Sequence, residues 1–427
     1  MIDIRLIRER TDFVKSELAK TGIDEGEIDA IVACDAERRR VQFELDEMRA
    51  RRTRESKELG RLAPAARESR RAEMRELGDR ITTGERTLAE IEQRFSELML
   101  GLRNIPRPYV PAGTSEADNQ IVRHEGEPAV LGFTPLAHWE LGEKLGIIDF
   151  ERGVKLSGTR FYVLAGLGAQ LERALITFML DLKTREQAYL EVTPPLMVTT
   201  ETATSSGHLP KNAETMYHDA EDDFWFVPTA EVPLTSMYRG EILEAERLPI
   251  YLTAYTPCFR RERMSAGRDV RGIKRGHQFD KVEMVKLVPP ETSDGELQSL
   301  VENACEVCRR LEIPFRVVQL CTGDLSFASA ATYDIEMWAP GLGEWLEVSS
   351  CSNCTDFQTR RANIRYRPQK AGKTELVHAL NGSGLGLPRT LIAVLENYQQ
   401  ADGSVVIPKV LRPYMNGLEI IRPGPRL

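Results

Sequence analysis

The chain has 427 residues, 41% of them hydrophobic and 29% charged, which is too long for one ordinary core and predicts two or more domains. No run of eighteen or more apolar residues occurs and the opening Met1-Ile2-Asp3-Ile4-Arg5 is charged, so neither a membrane span nor a secretory segment is expected and the predicted setting is cytoplasmic. A formal charge of −8 argues against a nucleic-acid partner only if charge is spread evenly, because phosphate binding depends on local clusters of Lys and Arg.

The seven cysteines are an odd count in a chain that does not need disulfides. Cys305-x-x-Cys308 and Cys351-x-x-Cys354 have a spacing compatible with zinc. The first pair, however, lies in Leu300–Cys308, which reads as an amphipathic helix, so buried thiols are expected and no zinc.

From about residue 30 to 102 the apolar pattern is that of a coiled-coil seam. Ile31, Cys34, Val41, Leu45, Met48, Leu59 and Leu62 carry it first, interrupted by Arg38, Arg52 and Glu55; Met74, Leu77, Ile81, Leu88, Ile91, Phe95, Leu98 and Leu102 carry it back, with Gly84 the weak position. Pro64 between the halves predicts an antiparallel hairpin whose helices are each roughly 45 Å long. Its tip would hold Arg49, Arg51, Arg52, Arg54, Lys57, Arg61, Arg67, Arg70 and Arg71 against Glu55, Glu58 and Glu68. A solvated helix face is the plain alternative, but acids and bases balance elsewhere in the hairpin, so the tip is expected to grip an anionic partner such as an RNA backbone.

Residues 103 to 136 read as a linker rich in Pro and Gly, which sets the predicted boundaries at 1–103 and 104–427. Beyond it, Leu171–Leu190 predicts a helix and Tyr189-Leu190-Glu191-Val192 a strand ended by Pro194-Pro195. Later strands alternate with turns and isolated helices, which favours an α+β fold with a mainly antiparallel sheet. Neither GxxxxGK[ST] nor GxSxG occurs, which removes P-loop enzymes and α/β-hydrolases.

Two stretches could handle a nucleotide. Phe259-Arg260-Arg261-Glu262-Arg263 precedes a polar loop, and Gly276-His277-Gln278-Phe279-Asp280-Lys281-Val282-Glu283 follows it, a strand, loop and strand whose guanidinium forks suit phosphate. Near the end, Asn381-Gly382-Ser383-Gly384-Leu385-Gly386-Leu387-Pro388-Arg389 leads into a helical pattern; glycines there could admit a ligand close to the backbone, or mark a plain turn. Glu283 shares strand parity with Val285 and Leu287, and a carboxylate on an apolar face is seldom there for packing; a salt bridge to Lys281 is its bland reading.

These stretches resemble the three motifs of class II aminoacyl-tRNA synthetases, and across the whole chain the resemblance is to the bacterial type of the seryl-tRNA synthetase family. Tyr189–Pro195 is similar to motif 1, Phe259–Glu262 through Val282-Glu283 to motif 2, and Gly382–Arg389 to motif 3; Pro228–Leu234 and Glu347–Asn353 match the family more narrowly. The resemblance implies a class II antiparallel sheet flanked by helices behind a two-helix arm. It also implies a homodimer that activates L-serine with ATP and Mg2+ and loads it onto tRNA(Ser) and tRNA(Sec). A paralogue with a biosynthetic or inhibitor-resistance role, or a non-catalytic RNA-binding one, is the alternative.

By the same resemblance Arg260 would bridge serine carboxylate and α-phosphate, Arg261 and Glu262 would hold the nucleotide, and Arg389 the γ-phosphate. Glu347 and Ser350 would hold magnesium, with Val348 and Ser349 beside ATP. Thr229, Ala230 and Glu231 would take the serine ammonium, and Glu283 and Ser383 its hydroxyl. Arg49, Arg52, Lys57, Arg61, Arg67, Arg70 and Arg71 would meet tRNA. Strict alternation puts Glu347 and Ser350 on opposite faces, so a bulge or strand end is required between them. His277 is read as a structural or nucleotide-edge residue rather than a general base.

Overall fold

The computed structural model describes residues 1–59, 64–262, 271–369 and 372–424. Its contacts divide the chain into two compact units, Ile2–Arg103 and Asn104–Leu427 with Met1.

In the first unit two short helices, α1 (Ile4–Glu9) and α2 (Thr11–Ala19), precede the long α3 (Glu25–Leu59) and α4 (Pro64–Gly101). With 35 and 38 residues these run about 52 and 57 Å. α3 exceeds the expected length because it starts at Glu25, ahead of Ile31, and α4 because it runs unbroken from Pro64 to Gly101. Cys34, Val41 and Leu45 of α3 meet Leu77, Ile81, Leu88 and Ile91 of α4 in one buried cluster, with Met48, Met74, Phe95 and Leu98 at its edge. The helices are antiparallel, since the Cys34 thiol reaches the Ile91 carbonyl (3.8 Å) while Arg49 reaches Glu85 (2.7 Å). A Cβ on Gly84 would lie 2.7 Å from Leu45 Cδ2, so the weak seam position is where Leu45 enters most deeply. Arg38 interrupts the seam by lying over the Phe95 ring and donating to the buried Asp35 at 3.0 Å, while its Nε is buried without a hydrogen-bond partner among the described residues. Pro64 opens α4, where a missing N–H costs nothing.

The second unit is built on an eight-stranded sheet. Its strands are β1 (Gln120–Glu125), β2 (Leu190–Glu191), β3 (Ile250–Phe259), β4 (Gln278–Val288), β5 (Phe315–Gln319), β6 (Ala331–Ala339), β7 (Glu344–Asn353) and β8 (His378–Gly386). Their order is β1-β5-β6-β7-β8-β4-β3-β2; only β2 runs parallel to its neighbour. The α+β expectation holds. The expected linker does not, because β1 forms the sheet's edge within it, paired antiparallel with β5. The strand Gln-Ile-Val-Arg-His-Glu is exposed or half-buried throughout, and an edge that buries little has little apolar alternation to read.

Among the helices of this unit, those that bear on the site and its core are α5 (His138–Leu145), α6 (Leu167–Glu186), α7 (Glu231–Ser236), α8 (Ser293–Arg310) and α9 (Leu387–Asn397). α6, α8 and α9 bury the sheet face that carries Met284, Phe315, Ile335, Met337 and Val348. α6 begins at Leu167 and ends at Glu186, earlier than the expected helix. Cys305 and Cys308 are on α8, and all seven cysteines are buried and free. Burial pushes the Cys351 thiol up to about 12 and the Cys305 thiol up to about 11, which keeps both protonated and poor as ligands. Among the described residues no helix is long and apolar enough to cross a membrane.

Glu172 on α6 is the most exposed liability of this core to pH. Burial first, and the Asp280 carboxylate second, push its carboxyl from 4.5 up to about 8; burial also raises Asp280. An acid whose folded value lies above its unfolded one contributes its stability below the unfolded value, and loses it as pH rises through the folded one. Stability should therefore fall between pH 4.5 and about 8. Glu172→Gln is expected to flatten that fall, read as thermal midpoints measured across the same interval in both proteins.

Candidate active site

The sheet face opposite the helices opens into a cleft of about 1440 Å³. Alternation builds it: Arg316 and Val318 on β5, then Asp334 and Glu336 on β6, line the cleft while Phe315, Val317, Ile335 and Met337 between them enter the core. On β7 the register slips, Ile335 facing Ser349 but Glu336 facing Glu347. Val348 is thus the extra residue of a bulge, which returns Glu347 and Ser350 to one side, and both line the cleft. The expected irregularity is present. The same bulge turns Val348 into the core and lets the buried Ser349 hydroxyl donate to the Ser383 carbonyl (2.6 Å), so neither of those side chains lines the cleft.

A second bulge occurs where β4 meets β8. Val282 faces Leu385 and Glu283 faces Ser383, leaving Gly384 unpaired. The glycines of this stretch lie in a strand rather than a loop. A Cβ on Gly384 would sit 2.8 Å from Lys183 Cε, and one on Gly382 2.8 Å from Cys351 Sγ. Glycine is required there for close packing beneath the sheet, which corrects the expectation that it clears a path to ligand.

Arg260, Glu262, Glu347, Ser350 and Arg389 all line the cleft. Arg260 follows β3 and its Nε donates to the Pro228 carbonyl (3.2 Å), its guanidinium lying 5.0 Å from the Phe279 ring centre. Glu262 has a left-handed φ of 43°, and its carbonyl accepts from Arg160 (2.7 Å). Arg389, two residues into α9, donates to both the carbonyl (2.7 Å) and the carboxylate (3.0 Å) of Glu347. Arg261 turns away, its guanidinium over Tyr217 at 5.2 Å. His277 stacks on Phe161 and its Nδ1 lies 3.0 Å from the Arg260 carbonyl, a structural placement that steadies the Arg260 backbone.

Beside Pro228 lies a buried polar knot. The Thr229 hydroxyl donates to Glu283 (2.9 Å) and accepts from Lys281 (2.8 Å) and from the Glu231 N–H (3.1 Å). One donor and two acceptor sites are all a hydroxyl has, so its side chain is fully engaged. Glu283 is 1% exposed and ion-paired with Lys281; it also lies directly across from Ser383. Glu231 accepts from Gln358 (2.6 Å) and Asn381 (2.9 Å) through the same oxygen, Oε1. Ala230 packs into the core with Leu234, Leu252 and Val285, leaving only its backbone to the site. Burial raises both carboxyls, and the nearby Lys281 charge counters it.

Sequence reasoning missed Asp334, whose Oδ1 is buried without a hydrogen-bond partner among the described residues. Burial and the neighbouring Glu347 charge hold it well above the usual carboxylate range, against a hydrogen bond from Ser350. The alternation Asp334-Ile335-Glu336-Met337 was the available signal for a polar face on β6. At the arm, Arg49 pairs with Asp46 and Glu85, and Arg70 with Glu55 and Glu73. Arg52, Lys57 and Arg71 are exposed or half-exposed and, among the described residues, have no ion-pair partner. Arg61, Leu62 and the Leu59 and Arg67 side chains lie outside the described residues, as does Arg263.

The knot and the arginines and carboxylates named in the cleft fall within residues 214–398, and that span matches the tRNA synthetase class II core domain (G, H, P, S and T). Residues 1–106 match the seryl-tRNA synthetase N-terminal domain. Fold and site together define a class II aminoacyl-tRNA synthetase. A serine–tRNA ligase of Roseiflexus sp. (strain RS-1) is 59% identical over 99% of this chain and 100% of its own length; one of Chloroflexus aurantiacus is 56% identical over the same shares. The seryl-tRNA synthetase from Pyrococcus horikoshii, complexed with ATP, superposes with a TM-score of 0.92 at 38% identity over 100% of both chains. The cytoplasmic serine–tRNA ligase of Naegleria fowleri in complex with AMP gives 0.87 at 28%, covering 100% of this chain and 99% of that one. The chain belongs to the seryl-tRNA synthetase family, the ATP-dependent ligases that join serine to tRNA.

Proposed function

We propose that the cleft aligns ATP with L-serine, and that the chain forms seryl-adenylate there and passes serine to tRNA(Ser). The observation that carries this reading is the place of Arg260, on the cleft wall and tied to Pro228, the residue before the Thr229–Glu231–Glu283 knot. A guanidinium at that junction can fork between the serine carboxylate and the α-phosphate it attacks. No protein nucleophile is then needed, because positioning and charge neutralisation suffice.

On this reading Glu262 holds the base, and Arg389 leaves Glu347 for the γ-phosphate. Glu347 and Ser350 offer the hard oxygens that Mg2+ takes alongside phosphates, and the partnerless Asp334 oxygen beside them fits the same cation. The metal would supply neutralisation of phosphate charge. Serine enters with its ammonium towards Glu231, whose Oε2 has no donor among the described residues, and towards the Thr229 backbone. Its hydroxyl meets Glu283 and Ser383. Alanine would leave those buried groups unpaired, a loss worth about 10⁴-fold in favourable cases.

The arm would carry the tRNA, by the exposed cations of its tip, and a tRNA(Sec) presenting a similar extension would be charged as well. Two copies would pair through the motif 1 segment, where Leu190, Met197 and Met237 are exposed around a groove lined by Pro194 and Pro195. The setting would be cytoplasmic. Pyrophosphate exchange across the twenty amino acids tests the reading: strong exchange with serine and at most a trace with alanine, threonine and cysteine is expected, and equal exchange with alanine would overturn it.

A further inference from the structure

We infer that Lys281 is a positioning residue for serine selection, holding Glu283 ionised and aimed while leaving one carboxylate of the pocket for the substrate's own ammonium to neutralise. This rests on Glu283 being the acceptor for the serine hydroxyl.

Lys281 and Glu283 are two residues apart on β4 and so project to the same face. Lys281 is 8% exposed. Its ammonium donates to Thr229 Oγ1 at 2.8 Å and pairs with Glu283 Oε2, and Thr229 donates back to that same oxygen at 2.9 Å. The three groups close a triangle that engages one oxygen of Glu283 and fixes its plane. Among the described residues no donor reaches the other oxygen, Oε1, which is left for a ligand hydroxyl. A lysine this deep loses side-chain entropy and hydration, a cost that an ordinary surface pair does not carry.

Charge tells the same story. Two carboxylates, Glu231 and Glu283, share the pocket with the single ammonium of Lys281, while Arg260 stands at the rim for the substrate carboxylate. His208, facing the knot from the loop before Leu209, is pushed down to about 4, chiefly by burial and then by Arg260 and Lys281, and is neutral. Cys258 on β3 is raised by burial and also neutral. Arg361 lowers His208 in the same direction as Arg260 and Lys281. One negative charge therefore remains until an ammonium enters, and a zwitterionic amino acid supplies it. Burial raises Glu283 and Glu231 adds to that, with Lys281 the largest opposing influence. Without the lysine, burial and Glu231 would act on Glu283 unopposed by their largest counterweight and favour its protonated form, a donor where serine needs an acceptor.

The test is pyrophosphate exchange by the full-length protein, with serine varied from about pH 6 to 9, in the parent, Lys281→Gln, Lys281→Met, Lys281→Arg and Glu283→Gln. Lys281→Gln removes the charge and keeps a hydrogen-bond donor on a side chain one bond shorter. Its serine KM should rise at least about tenfold, and the acid limb of kcat/KM should move up by about 1 to 3 pH units, while the KM for ATP stays within about twofold. Lys281→Met should move the limb likewise, and Lys281→Arg should leave it near the parent's position. An unmoved limb in Lys281→Gln, or a parallel rise of both KM values with a lowered thermal midpoint, overturns the inference. Glu283→Gln separates the two claims: if it keeps the preference for serine over alanine, the hydroxyl reading itself fails. If it loses that preference while Lys281→Gln behaves as the parent, only the role of Lys281 fails.

Discussion

Arg260→Ala is expected to lower serine-dependent pyrophosphate exchange by about 10³-fold or more, with the thermal midpoint nearly unchanged. The size follows from what one guanidinium does at the junction of the two substrates. Each charge-assisted hydrogen bond is worth about 1.5 to 3 kcal/mol, and a donor aimed at charge that develops in the transition state is worth about 2.7 to 4 kcal/mol. Two bonds from a single fork therefore exceed about 4 kcal/mol, which is roughly 10³-fold. Stability should be spared because Arg260 is half-exposed and ties to the protein through one backbone carbonyl and the Phe279 ring. Arg260→Lys should recover little, since an ammonium is a point charge without the planar fork. Exchange within about tenfold of the parent's in Arg260→Ala would remove Arg260 from the site, because loss of a single weak contact costs no more than that.

The arm should behave in the opposite way. Replacing Arg52, Lys57 and Arg71 together by Glu is expected to lower kcat/KM for tRNA charging by at least about a hundredfold at low salt, and to leave pyrophosphate exchange unaltered. These three are chosen because, among the described residues, they carry no ion pair, whereas Arg49 and Arg70 already answer to Glu85, Glu55 and Glu73. Each lost phosphate contact removes close to one unit from the slope of log affinity against log salt, so the slope should fall by about 2 to 3. The coiled-coil seam does not depend on them, since its cluster is made by Leu45, Leu77, Ile81 and their neighbours. Normal charging by the triple variant would mean that the tip does not meet tRNA.

Much of the fold was legible because it rests on periodicity. The seam residues of α3 and α4 were found by their steps of three and four, and they form the buried cluster between the helices. Strands β3 and β4 were found by alternation and by the loop between them. The edge strand β1 was read as linker, since a half-solvated edge gives no such signal. The glycines of β8 suit either a ligand approach or a plain turn in sequence, since nothing local reveals that Lys183 and Cys351 press against them from below. Asp334 was passed over because its significance lies in a missing partner, a property of surroundings that no spacing encodes.

What the sequence determined by itself was the inventory: a long apolar hairpin with cations at its turn, an α+β body, and the arginines, glutamates and serine of a phosphate-handling family, each recognisable from local pattern. Tertiary structure decided how those groups are committed. The bulge at Val348 set Glu347 beside Ser350, and the bulge at Gly384 set Glu283 across from Ser383. The strand pairing closed Lys281 over Thr229, using up a hydroxyl that pattern alone had left free for substrate. A side chain's capacity for hydrogen bonds is a local fact, but whether that capacity is already spent depends on neighbours dozens of residues away, brought within 3 Å only when the sheet forms.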